Sequence, residues 1–108
     1  MSEDNQIHVP ESFIELFRSP AARGVGRLRE RPPVIAERYE LCEDLAQALV
    51  DQARDRLFQL GIAESDVLTR MKQGLVSGDI VSGDEAWWVT HRLAELLGWP
   101  WSDDKFEG

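Results

Sequence analysis

Between Pro33 and Leu60 nothing in the chain interrupts a helix, and this run restricts the fold more than any other feature. A proline can open a helix, because its missing N–H has no intrahelical partner in the first turn. Tyr39, Cys42, Ala46, Leu49, Ala53, Leu57 and Leu60 follow at intervals of three and four, which places them on one face. Leu41, Leu45 and Phe58 widen that stripe, as a core-facing helix requires. Gly61 then stands where a left-handed cap ends a helix. Such a helix is roughly 42 Å long at about 1.5 Å per residue, whereas a domain of this size has a radius of gyration of about 13 Å. It must therefore kink, start later, protrude, or pack against a second copy. The expectation is a later start or a protruding end. A homodimer through helix 33–60 is the further hypothesis, and a monomeric mass by light scattering at high concentration counts against it.

The remaining elements are shorter. Gln6-Ile7-His8-Val9 alternates polar and apolar residues up to Pro10, and Glu11 to Phe17 reads as a short helix with Phe13, Ile14, Leu16 and Phe17 on its apolar side. Residues 18–33, with Pro20, Gly24, Gly26, Pro32 and Pro33, read as a flexible loop. A second main helix is expected over about Glu64–Gln73, burying Val67, Leu68 and Met71, with Ala63 a poor start. Leu75-Val-Ser-Gly-Asp79 is repeated as Ile80-Val-Ser-Gly-Asp84, which reads as two turns pinning Leu75, Val76, Ile80 and Val81 to the core. A short strand there could pair with residues 6–9. The third main helix has the clearest start, since Ser82 and Glu85 fit a capping box. Its stripe is Ala86, Val89, Thr90, Leu93, Leu96 and Leu97. Gly98 is its cap, and Trp99 can fold back on the last turn. The fold class expected is all-α: a small bundle of three main helices plus a short N-terminal helix, with minor two-stranded β pairing. Its parts are a lead-in with a basic loop (1–32), a helical core (33–101) and an acidic tail (102–108).

Charge then limits the partners. The 108 residues carry a net charge of −8, yet residues 18–31 hold Arg18, Arg23, Arg27, Arg29 and Arg31 against Glu30 alone. The rest therefore carries −12. An acidic body repels nucleic acid and anionic membranes. No apolar run approaches the roughly 20 residues of a membrane span. The acidic start, Met1-Ser2-Glu3-Asp4, does not read as a secretory signal, and the single cysteine, Cys42, forms no internal disulfide. Cytoplasmic residence is the expectation.

Catalytic and cofactor motifs are missing. Gly24-Val25-Gly26 lacks the lysine of a phosphate-binding loop, because the only lysines, Lys72 and Lys105, follow Met71 and Asp104. One Cys and two His (His8, His91) make no zinc set. Asp79, Asp84 and Glu85 lack calcium-loop spacing and are better explained as turn and cap residues. Cys42 belongs to a buried stripe, and His91 reads as a half-buried neighbour of Trp87 and Trp88 rather than a general base. Helices at 64–73 and 83–97 are separated by too many residues for a helix-turn-helix, and the second is acidic. No cofactor and no enzymatic activity are expected.

The positive signal is aromatic. Trp87, Trp88, Trp99 and Trp101 all lie in the last 22 residues. Trp87 and Trp88 are about 100° apart on a helix, so one narrow stripe cannot take both. Trp88 shares a face with Arg92 and Glu95 and is the expected exposed ring. Exposed Trp beside Arg is the composition of an interface hot spot, so Trp88, Arg92 and Trp101 are the expected protein-binding residues. The alternative is nucleic-acid or phospho-ligand binding through Arg23, Arg27, Arg29 and Arg31 in the loop 18–31. Two segments, Glu37-Arg38-Tyr39-Glu40-Leu41-Cys42-Glu43-Asp44-Leu45-Ala46 and Arg92-Leu93-Ala94-Glu95-Leu96-Leu97-Gly98-Trp99-Pro100, resemble a group of small bacterial proteins, some of which are described as "ATPase with chaperone activity". The resemblance includes no catalytic motif. With no phosphate-loop lysine that activity is not carried over, and an adaptor or accessory protein of a chaperone ATPase, without ATPase activity of its own, is the expectation.

Overall fold

The computed structural model describes residues 8–18 and 30–101. They form four helices: α1 (Glu11–Ile14), continued by a 3-10 turn (Glu15–Phe17), then α2 (Pro32–Leu60), α3 (Glu64–Gly78) and α4 (Gly83–Leu97). No β-strand forms among the described residues. The all-α expectation is met. Residues 6 and 7, most of the arginine loop and the tail 102–108 lie outside the described residues.

The long helix begins at Pro32, one residue before the expected start, rather than later. Val34 and Ile35 donate to the Arg31 carbonyl at 2.9 and 3.1 Å. Pro32 and Pro33 thus occupy first-turn positions, where a missing N–H costs nothing. The helix runs through all 29 residues, about 44 Å at 1.5 Å per residue. A single core of this size cannot take so long a helix. The chain instead divides into two compact units, residues 1–41 and 42–108, and each takes its own portion of α2.

In the N-terminal unit Phe13 is fully buried, with Leu16, Phe17 and Ile35 buried too. The Phe13 ring lies 5.4 Å from Phe17 and meets Tyr39 edge-on at 5.7 Å, the favoured aromatic geometry. Arg18 closes this turn outside, bonding Glu11 and Glu15 at 2.9 Å each. The hydrogen bonds from Arg18 hold the Glu11 carboxyl below its ordinary value.

In the C-terminal unit Ala53 of α2 packs with Val67, Leu68 and Met71 of α3 and Leu93 and Ala94 of α4. Leu49, Val50, Leu57, Ile62, Leu97, Trp99 and Trp101 pack around them. Cys42 and Ala46 are also fully buried. Phe58, expected to widen the stripe, is 90% exposed. It sits about 140° from Ala53 around the helix, too far to share its face. Exposed Glu37, Glu40, Asp44, Asp51 and Asp55 occupy that outer side.

The tandem repeat folds differently from the two turns expected of it. Leu75–Gly78 continues α3 to its end, and Asp79 takes the left-handed conformation, φ 60°. This leaves Val76 and Ile80 exposed, with Val81 buried. A strand at 75–84 is ruled out by the same helical turn. The second copy caps α4: Glu85 N–H donates to the Ser82 hydroxyl at 3.1 Å, and Ser82 N–H to the Glu85 carboxylate at 2.9 Å. At the other end Gly98, φ 74°, closes α4, and the Trp99 N–H returns to the Ala94 carbonyl at 3.0 Å. No helix among the described residues is long and apolar enough to cross a membrane.

Candidate functional site

The capping box fixes where α4 starts and therefore where its aromatic residues point. Glu85, Ala86, Trp88, Val89, Thr90, Leu93 and Ala94 are all buried, an arc covering about two-thirds of the helix at 100° per residue. Trp88 falls inside it and is 5% exposed. The expectation of an exposed Trp88 is therefore corrected. It presumed a single narrow core stripe, whereas α4 is enclosed on most sides. Thr90 is accommodated in this arc because its hydroxyl donates to the Ala86 carbonyl at 2.8 Å.

Arg92 is likewise engaged within the protein. Its Nε donates to both Glu43 oxygens, at 2.9 and 3.2 Å, and its Nη1 to Glu95 at 3.0 Å. It joins α4 to α2 across 49 residues of sequence. Burial raises the Glu43 carboxyl, and the hydrogen bonds from Arg92 and Gln47 more than reverse this, so its pKa lies below the ordinary value. No local sequence pattern announces the Glu43–Arg92 pair, whose members lie 49 residues apart.

Trp101, the third expected residue, does reach an open surface. Half-buried Trp87, His91 and Trp101 form a ladder: His91 lies 4.4 Å from the Trp87 ring and meets Trp101 edge-on at 6.3 Å. Trp101 also borders a groove of about 1030 Å³, lined by Pro100 and Trp101 together with residues of α3 and the Ala63 that precedes it. From α3 come Glu64, Ser65, Thr69, Lys72 and Gln73. Ser65, Thr69, Lys72 and Gln73 fill one arc of α3 beside its buried Val67, Leu68 and Met71, which is why they line a groove rather than the core. In sequence they look like an ordinary solvated face, and nothing marked them. Thr69 uses its hydroxyl internally, donating to the Ser65 carbonyl at 2.9 Å. The indole N–H of Trp101 is buried and has no acceptor among the described residues.

This arrangement sets an indole, a proline ring and amide, hydroxyl and charged groups along one concave surface. Among the described residues no three His, Cys, Asp or Glu side chains gather as a metal site. Of the alternative anion-binding residues, Arg23, Arg27 and Arg29 lie outside the described residues, and Arg31 is exposed. No protein-family model, curated protein or solved structure matches the chain.

Proposed function

We propose that this chain is a non-enzymatic protein-interaction module whose partner segment lies in the groove between α3 and Pro100–Trp101. The observation that carries this reading is the groove itself, with the Trp101 ring on its wall. A large amphipathic ring at a concave surface is the usual anchor of a protein interface. Of the residues first singled out, Trp101 remains a contact residue, while Trp88 and Arg92 support the helix that carries it. Residues 37–46 and 92–100 resemble proteins some of which are described as "ATPase with chaperone activity", and with no phosphate-loop lysine in this chain that resemblance supports an adaptor or accessory role beside a chaperone ATPase, without hydrolysis by this chain.

The test is capture of partners from the native cell by the wild-type protein and by Thr69→Arg, which fills the groove from an exposed position. The expected result is a defined partner set, including a chaperone ATPase, that Thr69→Arg loses while its far-UV spectrum stays unchanged. Retention of the same set by Thr69→Arg rejects the groove as the binding site.

A further inference from the structure

We infer that the outer face of α2 is a second docking surface, and that it takes a cationic amphipathic helix of another protein. Asp44, Asp51, Asp55 and Phe58 are all exposed, and they fall within about 60° of one another around the helix. None of the three carboxylates has an ion pair or hydrogen bond among the described residues. Phe58, at the end of this line, leaves 90% of its surface in water. Its burial against an apolar side chain of a partner is favourable.

Charge selects the occupant. A second copy of this chain would set carboxylate against carboxylate, and a nucleic acid or anionic membrane would meet the same repulsion. A cationic partner satisfies the three acids instead. Asp44, Asp51 and Phe58 recur every seventh residue and so stand in one line along α2, which a helix laid alongside can follow. The line from Asp44 to Phe58 spans about 21 Å, or four turns. The partner helix therefore carries Lys or Arg over about three turns and an apolar residue opposite Phe58. This surface is distinct from the groove at Trp101 and does not depend on it.

The experiment uses the full-length chain and a synthetic Lys/Leu peptide of about twenty residues patterned as an amphipathic helix, titrated calorimetrically. The control is a scrambled peptide of the same composition. The inference expects saturable one-to-one binding that weakens with salt. It expects a loss of about tenfold or more for Phe58→Ala and for Asp44→Asn/Asp51→Asn/Asp55→Asn combined. Thr69→Arg should bind as the wild type does. Three results overturn the inference: no binding, equal binding of the scrambled peptide, or unchanged binding by both variants. Sedimentation of the protein alone tests the competing occupant, since self-association abolished by Phe58→Ala assigns the face to a second copy. All the substituted side chains are exposed, so a folded variant is expected, and an unchanged melting temperature verifies it.

Discussion

Trp87 and Trp88 are neighbours in sequence, yet their substitution should have unequal consequences. Trp88→Ala removes a side chain that is 5% exposed and should destabilise the protein by about 3–5 kcal/mol, read by chemical denaturation. Trp101→Phe should behave differently. It keeps a ring at the groove and deletes a buried N–H that has no acceptor among the described residues. An unsatisfied buried donor costs about 1–3 kcal/mol, so the melting temperature should hold or rise. Glu43 offers a pH test. Its folded pKa lies below the ordinary 4.5, so its contribution is complete above the unfolded value and is lost as pH falls through the folded one. Glu43→Gln should cost on the order of 1 kcal/mol at neutral pH and flatten the acid limb of stability against pH. At this scale the sequence was legible where chemistry is local. Cys42 and Leu93 are buried as their spacing implies. Trp88 and Arg92 were misjudged because their environments come from residues distant in sequence, as the Arg92–Glu43 pair illustrates.

The helices themselves were largely readable, because their ends are set by a few adjacent residues. Ser82 with Glu85 and the left-handed Gly98 mark α4 at both ends. Ser82→Ala should lower stability by about 1 kcal/mol, and Gly98→Ala by a similar amount, about 1–2 kcal/mol. The repeat explains the main boundary error. Ser77 and Ser82 stand in identical pentapeptide contexts apart from the leading Leu or Ile, yet only Ser82 has a glutamate three residues later; Ser77 has Ile80. Without that reciprocal bond Ser77 stays inside α3, and the helix ends only at Asp79. Ser77→Ala, on the exposed last turn, should therefore be nearly neutral, within about 0.5 kcal/mol, in contrast to Ser82→Ala under the same denaturation assay. The groove was not readable at all. It arises from a polar arc of α3 meeting a two-residue segment near the end of the described chain, and neither part has a periodic signature.

At the scale of the molecule, one helix supplies side chains to two clusters: Ile35 and Tyr39 in the N-terminal unit, Ala46 and Ala53 in the C-terminal one. Length alone suggested that helix 33–60 outgrows a single core, and two units that each take part of it account for that excess without a later start. Losing either cluster exposes part of the same helix, so unfolding should be cooperative. Circular dichroism at helical wavelengths and tryptophan emission should trace coincident curves, and a displaced emission curve would reveal an intermediate. The placement of the chromophores sharpens this comparison. The sole tyrosine, Tyr39, belongs to the first unit, and all four tryptophans belong to the second. Tryptophan emission therefore follows the second half alone, and Tyr39, separated from the tryptophans by second-derivative absorbance, follows the first without any label.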